Sequence, residues 1–256
     1  MTAGHRRSLS CVFASMFTAV AAVVSAQSAV DFPSFLGGQT ANAPAVTGAP
    51  YSGDGTTTVK AILFDGTRIE RHVTARFFRD SAGRIRREQT LLGLEELNPS
   101  NDSEKVVMIV DTVAGVFYAL NPGSHQALRM PNSAPALAGQ PSALPSSSAA
   151  PPKEESLGTR QIEGLTAIGR RTVTTIPAGQ VGNDRPLEIS DERWDSPELE
   201  VVLFLRHHDP RTGDIEYRLT NIKRVEPPQD LFKVPPAYTI VDAPWPSAPA
   251  PVRRRP

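Results

Sequence analysis

Cysteine is almost missing from this chain: its 256 residues contain one, Cys11. That excludes an intramolecular disulfide and any structural site built on several thiolates. Net charge is missing as well, with 27 Lys+Arg against 27 Asp+Glu, so the chain lacks the long-range positive field that gathers nucleic acid. Linear catalytic motifs are missing too. No glycine-rich phosphate or dinucleotide loop, G-x-S-x-G, H-E-x-x-H, C-x-x-C or EF-hand string occurs, so the motifs whose mechanics can be read from spacing are silent. Many active sites leave no linear trace, so an enzyme of unrecognised type using His207 or the acids between Asp191 and Glu198 stays the third reading. After residue 26 no apolar run is long enough to span a bilayer.

One apolar run is present at the start. Arg6 and Arg7 precede an uncharged stretch from Leu9 to Val24, and Val24-Ser25-Ala26 stands before Gln27. A basic end, a short apolar centre and a small-x-small ending predict a signal peptide over 1–26, cut between Ala26 and Gln27. Cys11 lies at the beginning of the apolar run, where a lipid-attachment cysteine does not sit. Cleavage would leave a cysteine-free chain with 25 Lys+Arg and 27 Asp+Glu, a net of minus two. A periplasmic or secreted bacterial protein is expected, stabilised without disulfides.

Proline divides the remainder. Fourteen of the 24 prolines fall in three segments: three in 26–50, six in 131–152 and five in 244–256. The middle segment has small residues, no charge and no periodicity, so it cannot bury enough apolar surface to offset the cost of ordering. The expected organisation is a flexible segment over 27–50, a single β domain over 51–242 interrupted by a disordered Pro/Ser/Ala-rich loop at 131–152, and a disordered Pro/Arg tail over 243–256. Two domains joined at 131–152 is the competing reading.

Strand signals fill what is left. Thr56 to Phe64 and Thr67 to Arg79 flank Asp65-Gly66, a hairpin-turn dipeptide. In the second run Ile69, Val73, Ala75 and Phe77 share one face and Arg68, Glu70, His72, Thr74 and Arg76 the other. Further strands are expected at Arg84–Leu92, Val106–Val110, Val116–Leu120, Gln126–Met130, Leu157–Ile162, Leu165–Ile176, Leu187–Trp194, Val201–His207 and Ile215–Val225. Val106 to Val110 is apolar throughout and needs cover on both faces. In the last run Ile222 breaks the parity of Ile215, Tyr217 and Leu219, which predicts a bulge near Asn221. Gln229 to Val234 offers one helical turn at most. The fold class is all-β: a twisted, largely antiparallel sheet with few or no helices.

Some side chains invite a chemical reading. His207-His208-Asp209 has metal-ligating types, but neighbours on a strand point to opposite faces. Asp191, Glu192, Asp195 and Glu198 resemble an acid-base cluster, yet they flank Arg193 and a Ser-Pro turn, as a solvated ion-paired strand edge does. Arg84-Ile85-Arg86-Arg87 and Arg253-Arg254-Arg255 are the basic concentrations, without the interleaved aromatics of a nucleic-acid surface. The aromatics carry more information. Phe117, Trp194, Phe204 and Tyr217 fall on predicted strands of a protein without covering helices; sheet-on-sheet core packing is one solution, and an apolar groove in which these four are the expected ligand-binding residues is the other.

The C-terminal text Asp209-Pro210-Arg211-Thr212-Gly213-Asp214, Tyr217-Arg218-Leu219-Thr220-Asn221-Ile222, then Glu226-Pro227-Pro228 and Leu231-Phe232-Lys233-Val234-Pro235, resembles uncharacterised exported bacterial proteins. Its ending is similar to that of LolA-like and LppX-like periplasmic carriers of lipoproteins or lipids. The resemblance covers about 30 residues well, and the Pro/Ser insertion departs from it. It implies a half-barrel with an apolar concave face, a non-enzymatic role, no cofactor, and a lipid or lipoprotein acyl chain as ligand. A LolA-like fold also occurs in envelope sensor modules, so a protein partner in the envelope is the alternative expectation.

Overall fold

Period-two alternation runs through most strands of the computed structural model, which describes residues 45–63, 65–90, 105–132 and 151–243. The strands are β1 (Tyr51–Ile62), β2 (Arg68–Arg79), β3 (Ile85–Thr90), β4 (Lys105–Asp111), β5 (Val116–Asn121), β6 (Gln126–Pro131), β7 (Lys153–Ile162), β8 (Leu165–Ile176), β9 (Leu187–Ser196), β10 (Val201–Asp209), β11 (Gly213–Lys223) and β12 (Thr239–Asp242). Among the described residues there is no α-helix, only a 3-10 turn at Gln229–Phe232. All twelve strands join one open sheet in the order β12-β6-β5-β4-β3-β2-β1-β11-β10-β9-β8-β7. The protein is an all-β half-barrel, antiparallel except where β12 pairs in parallel with β6. β1 bonds to β2 on one side and β11 on the other, which makes one sheet of two meanders.

Two local features differ from the sequence expectation. β1 begins at Tyr51, five residues early, and takes Gly53-Asp54-Gly55 into the strand. A side chain on Gly55 would lie 2.5 Å from the Phe77 ring and 3.0 Å from the Tyr217 ring. Glycine is there because rings from both neighbouring strands lie across it, a close approach that only a missing Cβ permits. The hairpin between β1 and β2 is also wider than two residues: the Leu63 N–H donates to the Thr67 carbonyl, and Gly66 takes φ +84°. The bulge expected near Asn221 is present, with Asn221 at φ +54° and a register shift opposite Ser52 and Asp54.

Opposed residues of a ladder share a face, so the registers sort the side chains. One row crosses Leu205, Tyr217, Thr57 and Val73, all buried. A second crosses Gly53, Phe77, Arg87, Met108, Ala119 and Leu128. A third crosses Tyr51, Arg79, Ile85, Val110, Phe117 and Met130. This is the apolar face. On the other side of the central strands run Arg206, Glu216, Thr58 and His72, then His208, Asp214, Lys60 and Glu70, an ion-paired face exposed to water.

The charged face turns apolar at the β4–β6 end, where Val107, Ile109, Leu120 and Ala127 form a small core. The chain after β11 covers it. Glu226 accepts hydrogen bonds from Ser81, Leu231 O accepts from the Arg86 guanidinium, Phe232 is buried under Arg84, and Val234 and Tyr238 pack on the core. β12 completes this strap with an Arg129–Asp242 ion pair. The two-faced run of β4 is thus covered on one side by its own C-terminal segment.

Candidate functional site: the apolar face and its arginine

The apolar face of β3 to β6 carries the buried Val110, the half-buried Val106, Met108, Phe117, Ala119 and Met130 and the exposed Leu128, and it continues into the buried Ala75, Phe77, Tyr217 and Leu219 of the centre. Among the described residues no helix or second sheet packs over these strands on that side. In its middle sits Arg87. Its Cζ is 5.5 Å from the centre of the Phe77 ring, and its Nε and Nη2 are buried without a hydrogen-bond partner. Burial pushes the guanidinium down to about 10, and it stays cationic at neutral pH. Gln89, two residues along the same face, has its Oε1 buried and unpartnered as well.

Arg79 is the instructive neighbour. It is also buried on this face, 1% exposed, stacked 4.9 Å from the Tyr51 ring, and its own Nε and Nη2 donate to the carbonyls of Ala49 and Leu199. The chain itself satisfies that edge of the guanidinium. The same edge of Arg87 is buried without such a partner.

The four aromatics expected to line one groove divide between two faces. The registers put Phe117 and Tyr217 on the apolar face, and Trp194, opposite Phe204, on the other. Trp194 lies flat on Gly169, where a Cβ would come within 2.7 Å of its ring, and donates its Nε1–H to Glu192. Arg160 covers it at 3.8 Å and reaches Phe204 at 5.3 Å. The cleavage site at Ala26 and Gln27 lies outside the described residues.

The polar candidates are occupied by one another. His207 is buried with Nδ1 2.7 Å from Asp191, while His208 is exposed and 2.6 Å from Asp214, on opposite faces as strand geometry requires. The Asp191 hydrogen bond raises the His207 pKa above its usual value. Glu192 holds Trp194, Asp195 holds Arg193 and Arg170, and Glu198 holds Arg224. Among the described residues no group of three or more His, Cys, Asp or Glu could hold a metal ion. The Asp209 to Asp214 string forms the β10–β11 turn: the Asp209 carboxylate accepts from the Arg211 backbone and guanidinium, which holds its pKa low. Arg87 and Gln89 escaped the sequence reading because Arg84 to Arg87 looks like one basic run. Alternation was the available signal, since it sends Arg84 to Asp80, Arg86 to Glu88, and Arg87 to the other side.

No family model matches the chain, and no curated protein does. Solved structures do. An uncharacterised conserved protein of Thermus thermophilus is 12% identical with a TM-score of 0.40, over 74% of this chain and 90% of that one. The Mycobacterium tuberculosis lipoprotein LppX is 14% identical with a TM-score of 0.34, over 70% and 90%. The Pseudomonas aeruginosa MucA/MucB complex is 13% identical with a TM-score of 0.38, over 75% of this chain and 58% of the other. A LolA superfamily protein of Nitrosomonas europaea also matches, at 10% identity and a TM-score of 0.31 over 72% and 90%. The likeness is one of fold. Among the described residues no helix is long and apolar enough to cross a membrane.

Proposed function

We propose that the protein is an exported, non-enzymatic binding protein whose β domain, residues 51–242, holds an acyl chain of a lipid or lipoprotein against its apolar face. The observation that carries the reading is the pair of adjacent rows of half-buried and exposed apolar side chains at Met108, Ala119 and Leu128 and at Phe117 and Met130, on strands whose opposite face the protein already covers with its own strap. Apolar contact at roughly 25 cal/mol per Å² is enough to retain a long chain. Phe117 and Tyr217 contribute to this surface. Trp194 and Phe204 are packing groups under Arg160. A protein partner on a sheet edge has less support, because the β7 edge begins Lys153-Glu154-Glu155 and is bulged at Gly158, devices that discourage strand addition.

Native mass spectrometry of the chain exported from a bacterial host, followed by solvent extraction, tests the reading. A stoichiometric acyl lipid is expected, and Ala119→Glu should lose it while the protein stays soluble. A protein that emerges empty and takes up no fluorescent fatty acyl probe overturns it.

A further inference from the structure

A buried guanidinium edge without a partner, inside an apolar surface, has a chemical meaning. Nε–H and Nη2–H of one arginine point the same way, spaced to match two oxygens of a carboxylate or phosphate. Burying such a group without a partner is unfavourable, and Arg79 shows that this fold satisfies the same edge elsewhere with main-chain carbonyls. The face around Arg87 supplies no counter-charge. On β1 to β6 the charged residues whose register turns them to this side are Arg71, Arg79 and Arg87, with no Asp or Glu among them. Arg71 sits at the exposed end of β2. Arg87 sits between Phe77 and Met108, within the apolar row itself.

We propose that Arg87 anchors the acidic head of an amphiphile, a carboxylate or a phosphate monoester or diester, whose chain lies along Met108, Ala119 and Leu128. Gln89 flanks the same position, and a half-turn of its amide exchanges Oε1 for Nε2, so it can accept from or donate to the head group. The inference rests on the acyl-chain reading above and narrows it from apolar chains in general to anionic ones. A negative head would satisfy the unpartnered edge, and its charge would favour the cationic form of Arg87 that burial disfavours.

The test uses the full exported chain, stripped of lipid, and three probes with the same alkyl length: palmitate, hexadecyl phosphate and hexadecanol. Wild type should bind at least one acidic probe roughly tenfold or more tightly than hexadecanol. The tighter of the two acidic probes identifies a fatty acid or a phospholipid as the source. Arg87→Met should bring the acidic probes to the level of hexadecanol while leaving hexadecanol affinity unchanged, and Arg87→Lys should keep part of the preference. The apparent Tm of Arg87→Met should equal or exceed that of wild type, since replacing an unpaired buried charge by an apolar chain relieves a cost. Hexadecanol binding as tightly as both acidic probes, or a preference that survives Arg87→Met, overturns the anchor and leaves the acyl-chain reading standing. Failure of all three probes overturns both.

Discussion

The two ends of the sheet bury the same face by different means. At the β4–β6 end the cover is main chain, a strap running from Glu226 to β12 that puts Phe232, Val234 and Tyr238 over Val107, Ile109 and Leu120. At the β8–β10 end the cover is arginine side chains: Arg160 stacks on Trp194 and reaches Phe204, over which Arg218 and Arg206 also lie. A strap excludes water over a wide area and ties distant elements together. An arginine shields an aromatic pair while its charge stays wet. The difference teaches where function is free to sit: once the strap covers one side of β4 to β6, the apolar residues on the reverse are the ones without a described cover.

The strap end should break hardest. Phe232 is 2% exposed and fixes the strap beneath Arg84. Phe232→Ala should cost about 3–5 kcal/mol, as large aromatic deletions in cores do, read as a fall in the urea midpoint with an unchanged slope. A loss under about 1 kcal/mol would make the strap a passenger, since surface truncations fall in that range.

The opposite end should give a smaller effect. Arg160 is exposed, so Arg160→Ala should cost roughly 0.5–1 kcal/mol, the value of an exposed cation–π contact. The optical change should exceed the energetic one. In a Trp245→Phe background, where Trp194 is the only indole, removing Arg160 should shift its emission to the red and raise acrylamide quenching. An unchanged spectrum would mean that Gly169, Glu192 and the strand neighbours bury the ring without help.

Much of this was legible in residue order, because alternation and turn chemistry are local. Strand positions, the scarcity of helix, the Asn221 bulge and the opposed directions of His207 and His208 all follow from period two and parity. What lay beyond the sequence depends on partners that residue order does not name. Gly53-Asp54-Gly55 reads as a turn until the Phe77 and Tyr217 rings are known to lie over Gly55. Phe232, Val234 and Tyr238 have no period because they sit on a strap rather than a strand. Trp194 and Tyr217 are both aromatics on strands, and only the ladder between them, in which Leu205 opposes both Tyr217 and Arg193, puts them on opposite faces. The β12 strand is four residues long, and its parallel pairing with β6 has no local signature. Arg87 was visible as a charge, but its open Nε and Nη2 edge is a property of packing.

The weakest contrast between the ends is one of pH, and its sign follows from His207. This imidazole lies in the β9–β10 ladder, bonded to Asp191 with Asp209 and Asp214 nearby, and its folded pKa is raised above 6.5, first by the Asp191 hydrogen bond and against the opposing effect of burial. A raised folded pKa means that the folded state binds the proton more tightly, so the stabilisation is complete below the unfolded pKa and disappears as pH rises through the folded one. Asp209 works in the other direction: its pKa is lowered by Arg211, and its contribution is lost as pH falls through that lowered value. Denaturation of wild type and His207→Gln should therefore differ most near pH 5–6, where the histidine is charged and Asp209 still ionised, and the difference should shrink as pH rises through the raised folded value. The strap has no such histidine pair, His125 meeting Tyr238 ring to ring instead, so the Phe232→Ala loss should stay level over the same range. A His207→Gln difference that grows with pH would mean that the neutral imidazole is the form the fold prefers, and that the Asp191 contact is a neutral hydrogen bond rather than an ion pair.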